Sequence, residues 1–157
     1  MNISEHVSYR EAVKSNTAKR LGIDNTPNSG EIYNMRVVAN KIFEPVRNHF
    51  GVPIFISSFF RSRLLNKKIG GSKTSDHMKG KAIDIDDVLG GVTNSEIFHY
   101  IKDNLEFDQL IWEFGNEENP DWVHVSYNQE NNRNQVLRAF NYVDWMGTTR
   151  TRYISYK

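Results

Sequence analysis

The 157-residue chain contains no cysteine, which excludes disulfide bridges, thiolate metal sites and cysteine nucleophiles. No apolar run approaches the roughly 20 residues that would cross a bilayer. The formal net charge is only +1, so we expect neither nucleic acid nor a membrane as a partner. The first residues, Met1 to Val7, lack the basic and apolar regions of a secretion signal. We therefore expect synthesis in the cytoplasm without export by the ordinary route.

The composition of the chain is typical of a soluble globular protein. Hydrophobic residues make up 38% of the chain, aromatic residues 12% and charged residues 25%, a balance that argues against general disorder. No internal repeat, low-complexity stretch or linker interrupts the sequence. We therefore predict a single domain over residues 1–157, with a monomer as the expected state.

Helical patterns recur along the chain. Two segments begin with a polar cap followed by glutamate three residues later, the signature of a capping box. The longest apolar stripe advances in steps of three and four, and Pro45 should bend or shorten this helix near its end. Helices are predicted to begin at the caps Ser8, Asn28 and Asn94. The long apolar stripe covers residues 32–50, and a further helix is predicted over Asn134–Phe140.

Other segments have the composition of β-strands. They are short, rich in β-branched and aromatic residues, and one of them alternates, with Ile83 and Ile85 on the opposite face from Ala82 and Asp84. Strands and helices do not alternate regularly along the chain. We therefore predict an α+β fold with an antiparallel sheet flanked by helices. The predicted strands are 53–59, 81–86, 109–114 and 122–127.

Two histidines and an aspartate form the most informative pattern. His77 and Asp84 lie seven residues apart, and His124 follows in Asp-Trp-Val-His. Gly80 between the first two predicts a turn with positive φ or a close backbone approach, which would let them converge. Two imidazoles and one carboxylate commonly hold a catalytic zinc ion and leave one position for water. Structural zinc sites usually have four protein ligands, so three candidates favour catalysis.

The pattern Ser75-x-His77-x-x-Gly80-x-Ala82-x-Asp84, followed by Asp121-x-x-His124, resembles the zinc D-Ala-D-Ala carboxypeptidases. Relatives of that family include D-Ala-D-Ala dipeptidases and phage endolysins, and hedgehog signalling domains share its fold. The resemblance extends upstream, where Ile56-Ser-Ser-Phe-Phe-Arg-Ser62 and Leu65-Asn66 are similar to the family's Ser-Gly-Tyr-Arg-Ser-x-x-Leu-Asn segment. Phe59 and Phe60 stand where the family has Gly-Tyr, and Arg63 stands where proline is frequent.

This resemblance implies a role for each matching residue. His77, Asp84 and His124 would be zinc ligands, Asp121 the general base, and Arg61 the group that steadies the substrate carbonyl. Ser75 would lie beside the site, and we add Glu113 and Phe60 as expected substrate-binding residues. Plainer interpretations stay open: Asp84 and Glu113 as solvated strand residues, Arg61 as an ion-pair partner, and Asp121 as a turn residue.

The resemblance implies a zinc peptidase that hydrolyses a peptide bond in peptidoglycan stem peptides, as a carboxypeptidase or an endopeptidase. An alternative is a non-catalytic, zinc-containing module of the same fold that binds wall peptides or a protein partner. The aromatic pair Phe59-Phe60 motivates that alternative, because exposed aromatic rings suit binding. The missing secretion signal favours a phage or prophage enzyme that reaches the cell wall upon lysis.

Overall fold

A single six-stranded sheet is the framework of the structure, a computed structural model that describes residues 1–157. The strand order is β1-β2-β4-β3-β5-β6, and every neighbouring pair is antiparallel except β3 and β5. The fold is therefore α+β with a mostly antiparallel sheet, as the sequence predicts. The strands are β1 (Phe55–Ser58), β2 (Ala82–Asp86), β3 (Gln109–Glu113), β4 (Trp122–Ser126), β5 (Gln135–Val143) and β6 (Thr149–Ser155).

Six α-helices accompany the sheet, together with one π-helical and one 3₁₀ segment. None of them is long and apolar enough to cross a membrane. The predicted caps at Ser8 and Asn28 are confirmed, and both form complete capping boxes. The helices are α1 (Tyr9–Ala12), α2 (Asn16–Leu21), α3 (Ser29–Val38), α4 (Glu44–Phe50), α5 (Arg63–Lys68) and α6 (Asn94–Asn104), with a π-helix at Ala39–Phe43 and a 3₁₀ helix at Asp76–Lys79.

The predicted long helix is one continuous helical run from α3 through the π-helical turn to α4. Pro45 occupies the first turn of α4, directly after the π-helical turn. Proline supplies no N–H to a continuous helix, and the change of hydrogen-bond pattern at the preceding π-helical turn accommodates this loss. The helix consequently continues past Pro45 and ends at Gly51, which adopts a φ of 67°.

The two faces of the sheet have different roles. Side chains of Ile83, Ile85, Val123 and Val125 on one face are fully buried and belong to the hydrophobic core. The helical run α3–α4 and helix α6 cover this face, with Phe98 of α6 contacting the sheet edge-to-face. Because side chains alternate along a strand, Asp84 and His124 lie on the opposite face. The core thus leaves the other face free for a polar site.

Two sequence-based predictions about elements are wrong. Residues 134–140 do not form a helix: Asn134 precedes β5 with a φ of 49°, and residues 135–140 are the first part of β5, whose backbone pairs in parallel with β3. The apolar residues there resembled a helical stripe because both faces of β5 are partly covered by protein. The cap of α6 is Thr93, which forms a capping box with Glu96, and Asn94 is the first helical residue.

Candidate active site

His77, Asp84 and His124 converge on one face of the sheet. Asp84 on β2 is directly paired with His124 on β4, so their side chains project side by side. His77 approaches from the 3₁₀ helix that precedes β2. The ligand atoms of the three residues all lie within 4.8 Å of one another. The structure therefore brings together the three predicted metal ligands.

Gly80 makes this convergence possible, as its place in the sequence predicts. Its φ is 68°, in the left-handed region that disfavours residues with a side chain. An added Cβ would lie only 2.5 Å from the carbonyl oxygen of Glu31 in α3. Both reasons for glycine apply here, and the sharp turn leads the chain from His77 directly into β2.

The orientation of His77 is fixed from behind the site. Its Nδ1 lies 2.7 Å from the carbonyl oxygen of Phe59, so Nδ1–H donates to that oxygen. The opposite nitrogen, Nε2, is buried and has no hydrogen-bond partner, although it lies 3.2 Å from Oδ1 of Asp84. This arrangement presents a lone pair to the cluster, as the hydrogen bonds behind metal-bound histidines usually do.

The donor set fits a zinc ion. Donors around a tetrahedral zinc at about 2.0–2.2 Å are separated by roughly 3.3 Å. The corresponding separations here are 3.2 Å between His77 Nε2 and Asp84 Oδ1, and 2.9 Å between His124 Nδ1 and the same oxygen. A buried, unpartnered imidazole nitrogen next to a carboxylate is what an ion-binding cluster requires.

Electrostatics within the cluster favour a charged Asp84. Burial by itself raises the pKa of Asp84, but His77 and His124 outweigh it and hold that pKa well below its usual range. Burial lowers the pKa of His77, which keeps this imidazole neutral. Burial also acts to lower the pKa of His124, but its hydrogen bond to Asp84 prevails and the pKa is raised. The cluster thus offers a metal ion a charged carboxylate, from Asp84, and a neutral imidazole, from His77.

A cavity of about 700 Å³ opens above the cluster. Three further residues predicted from the sequence, Arg61, Ser75 and Glu113, line it. Ser75 precedes the 3₁₀ helix, and its hydroxyl makes no capping hydrogen bond there. That hydroxyl is consequently available at the rim. The cavity joins a candidate metal site to the polar groups that would act on a bound molecule.

Glu113 is the acidic group of the cavity. It ends β3 and is only 7% exposed. Its face is set by the register, since Ile111, two residues earlier, is paired with His124. Burial raises the pKa of Glu113 to about 7, and the negative charge of Asp84 adds to that shift, while His124 and Arg61 oppose it. A carboxyl group with this pKa can accept and release a proton near neutral pH.

Arg61 supplies positive charge on another side of the cavity. Its backbone N–H donates to the carbonyl oxygen of His77 over 3.2 Å, which ties it to the metal-binding segment. The Nε atom is buried without a hydrogen-bond partner. No ion pair within 4.0 Å engages the guanidinium, so the ion-pair interpretation of Arg61 is not supported. Burial lowers the pKa of Arg61.

The structure does not bring Asp121 or Phe60 into the cavity. Asp121 is exposed and directly precedes Trp122, which lies on the cavity side of β4, so alternation directs Asp121 away. Its backbone N–H donates to the carbonyl oxygen of Glu113 over 2.9 Å. Phe60 is 3% exposed and Phe59 is 1% exposed, because both rings pack in the core.

This correction also removes the observation behind the binding-module alternative. The aromatic pair is not exposed and cannot grip a partner. Its side chains anchor the end of β1 in the core, while the carbonyl oxygen of Phe59 holds His77. The pair is therefore structural, and it acts on the site through the backbone.

Sequence reasoning missed one wall of the cavity. Leu137 of β5 and Tyr153 of β6 line it from the C-terminal hairpin. Phe114 and Trp122 close another side as an edge-to-face pair with ring centroids 5.2 Å apart. The alternation of β-formers in residues 149–155 could have indicated a strand, but no motif connected that strand to the metal ligands.

A second group with ligand-type side chains, Glu5, His6 and Glu44, lies near the N-terminus. Glu44 already accepts hydrogen bonds from the Ser4 hydroxyl and from both the backbone and the ring of His6. These bonds fasten the N-terminal segment to the long helix. We therefore interpret this group as structural.

Comparison with known proteins agrees with the geometry. A family model described as Peptidase M15 matches residues 5–126, which include all three candidate ligands, Arg61, Ser75 and Glu113. No protein with a curated description matches the chain.

Proposed function

The chain belongs to the Peptidase M15 family, and we propose that it is a zinc-dependent peptidase that hydrolyses a peptide bond in peptidoglycan stem peptides. The observation that carries this proposal is the joint position of the His77–Asp84–His124 cluster and Glu113 in one cavity. A metal-binding triad alone could be structural. A buried carboxyl group beside it, whose pKa burial raises to about 7 in the metal-free protein, supports hydrolysis.

His77, Asp84 and His124 would hold the zinc ion. When bound, zinc would supply a Lewis acid that acidifies water and polarises a carbonyl group. Three protein ligands leave a further coordination position for exchangeable groups, as catalytic zinc sites require. The hydrogen bond from His77 to Phe59 and the pairing of β2 with β4, which sets Asp84 beside His124, would keep the ligands oriented.

Glu113 would move the proton. Its carboxylate would accept a proton from the water that attacks the carbonyl carbon of the scissile peptide bond. The resulting carboxylic acid would then donate that proton to the departing amine nitrogen. In the metal-free protein burial raises the pKa of Glu113 to about 7, which identifies a carboxyl group able to accept and to release a proton near neutral pH. We assign to Glu113 the role that the resemblance implied for Asp121.

Arg61 would stabilise the negative charge that develops on the carbonyl oxygen. Its buried and unpartnered Nε–H is a preorganised donor, and such donors are worth more in a water-poor cavity than in bulk water. Ser75 at the rim would offer a hydroxyl to the substrate main chain. These two groups are the polar contacts expected on the substrate side of the site.

We place the enzyme's action at the cell wall. The stem peptides of peptidoglycan lie outside the cytoplasmic membrane. Release during lysis, as for a phage or prophage enzyme, would bring the protein to its substrate. Expression in the cytoplasm with and without a membrane-permeabilising protein, followed by turbidity, tests this. Lysis without permeabilisation contradicts it.

Mass spectrometry of peptidoglycan digested with the zinc-loaded protein tests the proposed function. New stem-peptide fragments should appear, and their masses identify the bond that is cut. The Glu113→Gln variant, loaded with zinc to the same stoichiometry, is the matched control and should release almost none. Wall material that stays intact with fully loaded wild-type protein would refute the proposal.

A further inference from the structure

The β5–β6 hairpin forms the wall of the cavity that faces the metal cluster from the C-terminal side, and Tyr153 is its polar residue there. The family match ends at residue 126, so it assigns nothing to this hairpin. Tyr153 lines the cavity and is 52% exposed, so about half of its surface is accessible.

The register of the sheet places Tyr153 on the same transverse row as Glu113. Glu113 is paired with Ala139 of β5, and Ala139 is paired with Tyr153 of β6. Neighbouring strands lie about 4.8 Å apart, so the Cα atoms of Glu113 and Tyr153 are about 9.6 Å apart. The residue between them has only a methyl group and is fully buried. The tyrosine ring can therefore lie over Ala139 with its hydroxyl directed towards Glu113.

The surroundings keep this phenol protonated. Burial raises the pKa of Tyr153, and the negative charges of Glu113 and Asp84 raise it further. The hydroxyl is thus a hydrogen-bond donor at neutral pH. The two histidines of the cluster are bonded to the carbonyl oxygen of Phe59 and to Asp84, and not to Tyr153. The tyrosine hydroxyl is therefore available to another acceptor.

We propose that Tyr153 is a substrate-binding residue whose hydroxyl donates a hydrogen bond to an oxygen atom of the peptide in the cavity. This inference rests on the proposed function. Arg61, in the segment before α5, and Tyr153, on the C-terminal hairpin, then offer hydrogen-bond donors on either side of Glu113. The acceptor is a peptide oxygen, either a main-chain carbonyl or a terminal carboxylate.

Tyr153→Phe tests the inference because it removes only the hydroxyl. The matched control is Tyr142→Phe on the same hairpin, where the ring contacts Arg152 and does not line the cavity. Two readouts are needed: kcat/KM of the zinc-loaded enzyme, and calorimetric binding of the stem peptide to the metal-free protein. We expect Tyr153→Phe to weaken both about tenfold. Tyr142→Phe should change neither by more than about twofold.

Two peptides of the same sequence, one ending in a carboxylate and one in an amide, identify the acceptor. A loss confined to the carboxylate peptide assigns the bond to the chain end, and an equal loss with both assigns it to a main-chain carbonyl. Binding and turnover by Tyr153→Phe that equal those of wild type overturn the inference alone. Wild-type protein that neither binds nor cleaves stem peptides overturns the proposed function and this inference together.

Discussion

The carbonyl oxygen of Phe59 accepts a hydrogen bond of 2.7 Å from Nδ1 of His77. This contact connects the end of β1 with the metal cluster, because the side chain of Phe59 is anchored in the core. Arg61, two residues after Phe59, also contacts His77, because its backbone N–H donates a hydrogen bond to the carbonyl oxygen of His77. One hydrogen bond from the His77 ring to the backbone and one between backbone groups thus align the candidate oxyanion donor and a candidate ligand.

Removal of one ligand should abolish metal binding. We expect His77→Ala to lower zinc affinity at least about 100-fold, because the remaining pair cannot enclose the ion. His49→Ala is the matched control, since His49 stacks on Tyr100 away from the cavity. Zinc stoichiometry after dialysis, measured by elemental analysis, checks this. Full occupancy in His77→Ala would show that the cluster is not the zinc site.

Replacing each carboxylate by its isosteric amide distinguishes the role of Glu113 from that of Asp121. Glu113→Gln should retain zinc and lose about 10²–10⁴-fold in kcat, the usual contribution of a general base. Asp121→Asn should stay within about threefold of wild type, because its side chain is exposed and outside the cavity. Steady-state kinetics on a stem peptide decide between them, and the reverse pattern would restore Asp121 as the base.

Arg61 should be sensitive even to a charge-preserving change. Lysine at this position keeps the charge but loses the Nε–H and the planar guanidinium. We expect Arg61→Lys to lower kcat/KM about 10–100-fold with zinc content unchanged. Arg63→Lys, at the exposed start of α5, is the control and should have little effect. Equal kinetics for both variants would exclude Arg61 from the chemistry.

Gly80 and Gly22 form a matched pair for the backbone turn. Both have positive φ, but a Cβ at Gly22 would meet nothing within 4 Å, whereas one at Gly80 would collide with Glu31. We expect Gly22→Ala to lose about 1 kcal/mol in the free energy of unfolding. Gly80→Ala should lose roughly 1–3 kcal/mol more and bind zinc more weakly. Urea denaturation checks this, and equal losses would contradict the close approach.

The raised pKa of Glu113 predicts a pH-dependent stability of the metal-free protein. The folded-state pKa is about 7 and the unfolded value is 4.5, so the folded state binds more protons between these pH values. The stabilisation is present at low pH and is lost as the pH rises through 7. Glu113→Gln stays neutral and should gain about 2–3 kcal/mol relative to wild type between pH 5 and pH 8. A constant difference across this range would contradict the buried acid.

The cluster of His77, Asp84 and His124 could be predicted from the sequence because the motif that resembles the carboxypeptidase family names these residues, and local chemistry agrees with it. Gly80 requires a turn, and the alternation of β2 sets Asp84 apart from the core residues Ile83 and Ile85. The choice between Glu113 and Asp121 could not be made in that way. It depends on the pairing of β3 with β4, which aligns Ile111 with His124 and so brings Glu113 to the cavity face.

The C-terminal hairpin could not be predicted for a different reason. Residues 135–140 have apolar side chains on both faces, because one face meets the core and the other the cavity. Such a strand loses its period of two and resembles a helical stripe. Only the parallel pairing with β3, a non-local contact, selects the extended conformation.

The hairpin follows the last ligand, His124, in the chain yet borders the same cavity. The candidate ligands and the proposed substrate contact of Tyr153 consequently come from separate stretches of polypeptide. A graft of a different hairpin onto β3 could alter which peptides are accepted while the ion-binding triad stays untouched. Under the proposed function, this arrangement would let substrate preference change without altering the residues that hydrolyse the bond.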